Sequence, residues 1–263
     1  MRPWLTILTL LGAVSTAVHA QGPTPAQYMI NTVAGGNYLE EGGLAAGAAF
    51  AQVEGLTSDP AGNVYVADTG DHRVRQITAA GFVRTVAGTG TAGFEGDGGP
   101  CSKARLKEPY GLAIDRSGNL YIADLGNRRV RRISPAGLIT TVAGGGTLPA
   151  GGANEGSPAT AVALSAPRDV AAADDGSLYI SDFGANRVYC LSPQGALTTL
   201  PGDWNGPAAL LPMPDGSLLE ADSGSRRIRR ALRGVVVTFF QGAPGYPLYT
   251  PTGLGRDSFG NLY

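Results

Sequence analysis

Short runs of alternating apolar and polar residues recur along this chain, and each run stops at a cluster of Gly, Asn, Asp or Pro. Between residues 109 and 144, four such runs follow one another: GLAID (111–115), LYIAD (120–124), RVRRI (129–133) and LITTVAG (138–144). Alternation over a few residues between turn-forming residues is typical of β-strands. This stretch therefore predicts four short strands joined by tight turns, which is a β-meander.

The same pattern appears four times and begins a fifth time. The four full copies are VYVADTGDHRVRQI (64–77), LYIADLGNRRVRRI (120–133), LYISDFGANRVYCL (178–191) and LLEADSGSRRIRRA (218–231), and DSFGNLY (257–263) starts another. One unit of this size cannot bury its own apolar face, so such units stack into an array. The repeat is therefore expected to determine the fold of the whole chain.

The spacing of the repeats distinguishes between array folds. The aligned first positions are 56, 58, 40 and 44 residues apart, at Val53, Pro109, Pro167, Pro207 and Pro251. The two shorter periods match a four-stranded propeller blade with minimal loops, so we predict an all-β fold, a β-propeller. The predicted blades are four full ones over about 53–87, 109–143, 167–201 and 207–240, and a truncated fifth over 251–263.

The second repeat resembles the NHL repeat. Residues 109–133 follow the pattern P-x-G-L-A-x-D-x-x-G-N-L-Y-I-A-D-x-x-N-x-R-V-R-x-I, and the connector 85–109 is similar to linkers of secreted bacterial and teneurin-like NHL proteins. The resemblance covers about residues 30–263. It implies a propeller, a fold that serves both binding proteins and enzymes. The third repeat departs from the pattern at Asp169-Val170, and the fourth at Ala209-Leu210.

Both ends of the repeat region resemble incomplete blades. The segment MINTVAGG (29–36) is similar to LITTVAGG (138–145) and is predicted to be an orphan outer strand, without the three strands that should precede it. The last blade stops early in its second strand. Four full blades and this remnant fall short of the six that the NHL resemblance implies. We therefore expect a fragment of a longer protein, with an open or incomplete ring.

The first twenty residues have the features of a signal peptide. Arg2 precedes an apolar segment over 5–18, which ends in the small-residue site Val18-His19-Ala20. Removal of residues 1–20 would leave a mature chain over 21–263. We expect that chain to be exported to the periplasm or the cell exterior, with no membrane insertion after cleavage. A retained N-terminal anchor is the alternative.

Charge limits the class of partner. The net charge is −1 and the isoelectric point about 6.1, so no global field recruits nucleic acid. The many arginines of the third predicted strands are interpreted as solvated side chains that protect sheet edges. No nucleic-acid partner is therefore predicted. The sequence leaves open whether Cys101 and Cys190 form a disulfide.

An Asp and an Arg recur five residues apart at the turn after each second strand. The pairs are Asp68 and Arg73, Asp124 and Arg129, Asp182 and Arg187, and Asp222 and Arg227. A residue that recurs in every blade usually serves the blade, so these carboxylates are predicted to cap backbone N–H groups, with the Arg as a further partner. The alternative is a ring of carboxylates that binds a cation.

Loop lengths differ between the two faces of the predicted propeller. One face has short, uniform turns, whereas the other carries the long Gly-rich connectors 34–53, 87–109 and 143–167. Variable loops on a rigid scaffold often carry function, so the connector face is the predicted binding surface for a protein or a glycan. The alternative is that the connectors are tolerated surface insertions.

The mouth of the central channel is where a propeller enzyme would hold its reacting groups. The residues predicted there are Glu54, Tyr110, Arg168, Ala208 and Thr252, which include no obvious acid–base pair. His19 and His72 are too few for a His-rich zinc site. No cofactor is predicted, although Ca²⁺ stays open because an oxygen-only site has no sequence signature. The leading hypothesis is a binding or scaffold module, and the alternative is a Ca²⁺-dependent, lactonase-like hydrolase or lyase.

Overall fold

Four antiparallel sheets make up the body of the protein. The computed structural model describes Ala34, residues 41–243 and residues 246–263. Within these residues each sheet contains four strands in chain order, so each is a β-meander. The helical segments among them are single 3₁₀ turns: Ala45–Gly47, Thr69–Asp71, Cys101–Lys103, Leu125–Asn127, Gly152–Asn154 and Ala159–Ala161.

The strand bounds are similar from sheet to sheet. The first sheet, blade 1, consists of Val53–Ser58 (β1), Val64–Asp68 (β2), Arg73–Ile77 (β3) and Val83–Ala87 (β4). Blade 2 consists of Pro109–Ile114 (β5), Leu120–Asp124 (β6), Arg129–Ile133 (β7) and Ile139–Gly144 (β8). Blade 3 consists of Pro167–Ala172 (β9), Leu178–Asp182 (β10), Arg187–Leu191 (β11) and Leu197–Thr199 (β12). Blade 4 consists of Pro207–Pro212 (β13), Leu218–Asp222 (β14), Arg227–Leu232 (β15) and Val235–Phe240 (β16).

The first strands of successive blades pack side by side around a central axis. Strand β1 contacts β5, β5 contacts β9, and β9 contacts β13. In the part of the chain that the structure describes, blades 1 and 4 share no such packing, so the ring is open. The prediction of an all-β propeller with four full blades and an open ring is confirmed.

The chain after β16 begins the truncated fifth blade. Two short strands, Gly242–Ala243 (β17) and Tyr246–Pro247 (β18), pair with each other. A hairpin over 255–263 is closed by hydrogen bonds between Gly255 and Tyr263 in both directions. The predicted signal peptide and the predicted strand over 29–36 lie outside the described residues, except for Ala34. No helix among the described residues is long and apolar enough to cross a membrane.

The core lies between the blades rather than within any one sheet. A cluster between blades 2 and 3 joins buried Ala123 and Val130 to Ile180 and Tyr189. Similar clusters lie between blades 1 and 2 and between blades 3 and 4. Because each sheet buries its apolar side chains against a neighbour, one blade alone could not be stable. Both cysteines are free.

The turn between the second and third strands places one residue in the left-handed region of each full blade. His72, Arg128, Asn186 and Arg226 have φ between 52° and 56°. Among non-glycine residues, Asn adopts this conformation most readily, whereas a long side chain is strained there. The same backbone geometry thus recurs in all four blades although only blade 3 has the favoured residue.

Replacement of Arg128 with Asn is expected to raise the free energy of unfolding by about 0.5 kcal/mol, because it relieves this strain. Arg128 is exposed, so the substitution removes little packing. Equilibrium unfolding in urea measures the change. The control is Arg116→Asn, because Arg116 is also exposed but has no positive φ. Equal effects of the two substitutions would contradict the backbone explanation.

The long connectors cover the outer strand of the blade that follows them. In blade 1, Val83 accepts a hydrogen bond from Gly42 N–H (2.8 Å) and donates one to Gly43 O (2.9 Å). In blade 2, Ile139 makes the same two bonds with the connector, and in blade 3 so does Leu197. Buried connector side chains pack beneath: Ala45, Ala48, Ala104, Leu106, Ala159, Val162 and Leu164. The connectors are therefore structural parts of the next blade and not loosely attached insertions.

An acidic residue fastens each connector to its outer strand. Glu41 accepts hydrogen bonds from both the backbone N–H and the hydroxyl of Thr85. Asp97 accepts a bond from the Thr141 hydroxyl (2.6 Å). In blade 3 the carboxylate is that of Glu155, which accepts the N–H of residue 199 at 2.8 Å. These bonds recur at one register position, so they fix where the connector lies along the strand.

Candidate functional site

Three of the predicted channel-mouth residues lie together at the connector end of the first strands. Arg168 Nη2 donates a hydrogen bond to the Tyr110 hydroxyl (2.9 Å), and the Arg168 guanidinium lies 5.0 Å from the Tyr110 ring centroid. The ring of Phe183 is 4.9 Å from the same guanidinium. Glu54 lies on the other side of Tyr110. We call Glu54, Tyr110, Arg168 and Phe183 the mouth cluster.

The electrostatics of the mouth cluster follow from these contacts. Burial raises the pKa of Tyr110, and its contact with Glu54 raises it further, whereas Arg168 lowers it. The Tyr110 hydroxyl therefore keeps its proton at neutral pH. It can donate to Glu54 while it accepts from Arg168. Phe183 is 39% exposed, so an apolar ring lies beside a guanidinium at the surface.

Thr252 is not part of this cluster. It is exposed and follows Pro251, whose carbonyl accepts a hydrogen bond from the Ser223 hydroxyl in blade 4. Ala208 is buried in β13 and has no polar side chain to contribute. The cluster is thus built from blades 1 to 3 only. Sequence reasoning did not include Phe183, because it lies in the turn after β10 rather than on a first strand.

Asp169 is a second residue that sequence reasoning did not assign to the site. It takes the position at which the first two blades have Gly55 and Gly111, and its carboxylate accepts the backbone N–H of Leu210 in blade 4 (2.8 Å). Burial raises the pKa of Asp169 to about 7, with the Leu210 N–H and Arg168 opposing the shift. The departure from the Gly-Leu pattern was the available signal. Asp169 therefore joins two blades next to the mouth cluster.

The four recurring aspartates are all fully buried. Asp124 Oδ1 accepts the backbone N–H of Lys107 (2.8 Å), and Asp182 accepts those of Ser165 and Ala166 (both 2.8 Å). Asp68 and Asp222 accept N–H groups of their own connectors in the same way. The carboxylates thus fix the end of each connector to the start of its blade, which is a structural role.

The arginine five residues later pairs with its aspartate only in blade 4. There Arg227 Nε lies 3.2 Å from Asp222 Oδ2. In the other blades Arg73 pairs with Asp71, Arg129 lies over the Phe94 ring, and Arg187 donates to the Ala150 carbonyl. In blades 1 to 3 the guanidinium therefore contacts the turn or a connector instead of the aspartate.

From the sequence, the third-strand arginines are interpreted as solvated. In blades 1, 2 and 4 this interpretation is wrong for one arginine of each blade. Arg75, Arg131 and Arg229 are at most 5% exposed. Arg131 lies 3.4 Å from Asp124 and 2.8 Å from the connector residue Asp97, and Arg229 likewise contacts its own connector. These side chains point into the space beneath the connector and link it to the buried aspartate.

A metal site finds little support in the described residues. Among them, no group of three or more His, Cys, Asp and Glu side chains lies where it could hold a metal ion. His72 uses Nδ1 to accept the backbone N–H of Glu108 (3.2 Å), so this nitrogen is already engaged. Carboxylates near the mouth, Glu54 and Asp169, are held by neighbouring donors.

Comparisons with known proteins agree on the repeat. The family model described as Teneurin NHL domain matches residues 90–155, and that described as NHL repeat matches residues 50–77. Teneurin-1 from Mus musculus is 30% identical over 130 residues, which cover 44% of this chain and 4% of the relative. Protein SUPPRESSOR OF QUENCHING 1, chloroplastic, from Arabidopsis thaliana is 40% identical over 73 residues, 27% of this chain and 7% of the relative. The chain thus spans a small part of these relatives.

Solved structures share the architecture. Virginiamycin B lyase from Staphylococcus aureus matches with a TM-score of 0.56 and 16% identity, over 80% of this chain and 61% of that one. A gluconolactonase from Xanthomonas campestris gives 0.58 and 21%, over 80% and 68%. A chain of the nidogen/laminin complex gives 0.60 and 17%, over 80% and 70%. At these identities the likeness shows the propeller fold alone.

Proposed function

Because this chain belongs to the NHL-repeat family of β-propellers, we propose that it is an exported module that binds a protein or glycan ligand on its connector face. The observation that carries this proposal is the mouth cluster. The Arg168 guanidinium lies against the rings of Tyr110 and Phe183. Each of its nitrogen atoms is either hydrogen-bonded or in contact with solvent. The apolar N-terminal segment 5–18 supports the export part of the proposal.

The mouth cluster has the composition of a binding hot spot. Arg and Tyr are the residue types that dominate binding energy at protein interfaces, because each offers a large surface together with hydrogen bonds. The two rings hold the guanidinium in place, so little side-chain entropy is lost when a ligand binds it. A planar Arg fork beside an exposed ring also suits a sugar that carries an acidic group. One of the structural neighbours comes from a protein–protein complex, nidogen/laminin.

The alternative function is a lactonase-like hydrolase or lyase. It is favoured by one observation, the half-buried Asp169 carboxyl beside Arg168 in the sequence. Its pKa of about 7 would let it exchange a proton at neutral pH. Two of the structural neighbours are a gluconolactonase and a lyase. In the Ca²⁺-dependent form of this alternative the ion would need oxygen ligands, and no group of three or more His, Cys, Asp and Glu side chains among the described residues could hold it.

Binding to an array of glycans and extracellular-matrix proteins tests the proposal. Arg168→Ala is expected to weaken the binding of any ligand found by at least tenfold, because it removes the central donor of the cluster. The matched control is Arg116→Ala, an exposed arginine in the turn on the opposite face. Equal binding by both variants would place the ligand elsewhere. If the protein binds no ligand on the array but hydrolyses a lactone, and Asp169→Asn loses this activity, the hydrolase alternative would be favoured.

A further inference from the structure

Among the described residues, none covers the outer edge of β16 in blade 4 as the connectors cover the outer strands of blades 1 to 3. Val236 lies at the register position of Val83, because Val83 pairs with Ile77 and Val236 pairs with Ala231. Val83 exchanges two backbone hydrogen bonds with its connector. Among the described residues, Val236 makes no backbone hydrogen bond on its outward side. The edge of β16 therefore presents unpaired donors and acceptors.

The reason is the length of the connector that precedes blade 4. Only residues 200–206 separate β12 from β13, and they are too few to reach across the blade. Each covered blade receives its cover from the connector before it, never from the one after it. By this pattern, the cover of β16 would have to come from the connector before blade 4. The residues after β16 are not expected to supply it.

The uncovered strand is also apolar. Val235, Val237, Phe239 and Phe240 are between 44% and 62% exposed. An exposed strand edge with a run of β-branched and aromatic residues normally has protection, such as a charge, a proline or a covering segment. The sequence VVVTFF of β16 has none of these. An edge of this kind is a template for a further strand.

The three covering connectors show what chemistry such an edge accepts. In each connector an acid accepts a hydrogen bond from a threonine of the outer strand, as Glu41 does from Thr85. The small residues that follow the acid exchange backbone hydrogen bonds with the same strand. In β16 the corresponding residue is Thr238, which pairs with Arg229 as Thr85 pairs with Arg75. Thr238 is exposed, and no acidic side chain among the described residues accepts a hydrogen bond from it. The donors of this contact, the N–H and hydroxyl of Thr238, are thus present without an acid to accept their hydrogen bonds.

We propose that the outer edge of β16 is a docking site for an extended segment of a partner protein with the chemistry of a connector. The segment would have an acidic residue followed by Gly and a second small residue. Its acid binds the N–H and hydroxyl of Thr238, and its backbone pairs with Val236. This surface is separate from the mouth cluster, so the two ligands need not compete.

A peptide with the sequence of residues 95–107, with C101S to prevent oxidation, is the probe. Labelled with a fluorophore, it is titrated with the full chain while anisotropy is recorded. We expect saturable binding that falls at least tenfold for Thr238→Pro, since proline removes the outward N–H that the acid accepts and leaves the pairing with β15 intact. The peptide variant Asp97→Asn should also bind more weakly, by about threefold or more, because its acid is gone.

Val237→Thr is the matched control, because it gives β16 the residue of blade 3 (Thr198) and keeps the edge N–H groups. It should bind the peptide within about twofold of the unsubstituted chain. Hydrogen exchange on the unsubstituted chain gives a readout that needs no variant: the peptide should slow exchange at Val236 and Thr238. No saturable binding, protection at other strands, or protection by self-association without peptide would each overturn the proposal.

Discussion

Replacement of Glu220 with Leu is expected to stabilise the protein by about 3 kcal/mol at pH 7. Glu220 lies in β14 with no exposed surface, and apart from the nearby backbone N–H of Ala208 its carboxylate oxygens have no hydrogen-bond partner. The equivalent residues of the other blades are Val66, Ile122 and Ile180, all buried and apolar. Glu220 is thus a carboxyl group in a site that the fold otherwise fills with an aliphatic side chain.

The cause is the pKa of Glu220, which burial raises from 4.5 to about 9, with the neighbouring Asp222 raising it and Arg229 lowering it. Below pH 4.5 the carboxyl is protonated in both the folded and the unfolded chain, so it costs nothing by ionisation. Between about pH 4.5 and 9 only the unfolded chain ionises. The free energy of unfolding therefore falls by up to about 1.4 kcal/mol per pH unit across this window.

Urea unfolding of the unsubstituted chain and Glu220→Leu at several pH values measures this effect. The two curves should lie closest together near pH 4, where only the cost of burying a neutral polar group separates them, and diverge as the pH rises. Glu220→Gln is the matched control, because it keeps the shape and a polar group but cannot ionise. It should remove the pH dependence and restore less stability than Leu does. A parallel pair of curves would show that Glu220 titrates normally, and the explanation would then be wrong.

Replacement of Arg131 with Leu is expected to destabilise the protein by about 3 kcal/mol and to lower Tm by roughly 10 °C. Arg131 is fully buried and joins Asp124, which is itself fully buried, to the connector residue Asp97. Without the guanidinium, Asp124 loses its buried cation and Asp97 its anchor. An uncompensated buried charge costs far more than an exposed one.

Thermal unfolding followed by circular dichroism measures the loss. The control is Arg116→Leu, because Arg116 also pairs with an aspartate, Asp174 at 2.8 Å, but both are more than 70% exposed. That pair should be worth no more than about 0.5 kcal/mol. If both substitutions lower Tm by the same amount, the buried linkage contributes no more than a surface pair.

Strand positions and blade number could be predicted because alternation and turn residues are local signals. The path of the connectors could not, because backbone hydrogen bonds such as that between Gly42 and Val83 leave no periodic pattern in the sequence. For the same reason Arg131 looked like a surface residue, since its partner Asp97 is 34 residues away in the sequence. Glu220 and Asp169 carried a readable signal, because each breaks the repeat at a position that is apolar or glycine elsewhere.

The mouth cluster shows the same division. The register of the first strands could place Glu54, Tyr110 and Arg168 at one level, because adjacent blades repeat the same geometry. It could not show that the Arg168 guanidinium turns sideways to stack on Tyr110 and Phe183, since that depends on a turn from a different part of the blade. Thr252 is not part of the mouth cluster, because the described residues around it do not form a four-stranded blade.

In blades 1 to 3 the connector that precedes a blade covers its outer strand. This arrangement limits how repeats can be added to or deleted from such a chain. The smallest segment that can be copied or deleted with its sheet edge intact runs from the connector acid to the end of the outer strand, as in 41–87 and 97–144. Glu41, Asp97 and Glu155 are 56 and 58 residues apart, which is also the spacing of the first strands, so each connector acid keeps a fixed place relative to its blade. During synthesis the cover emerges from the ribosome before the strand it will protect, so in blades 1 to 3 each newly finished edge is shielded as soon as it forms.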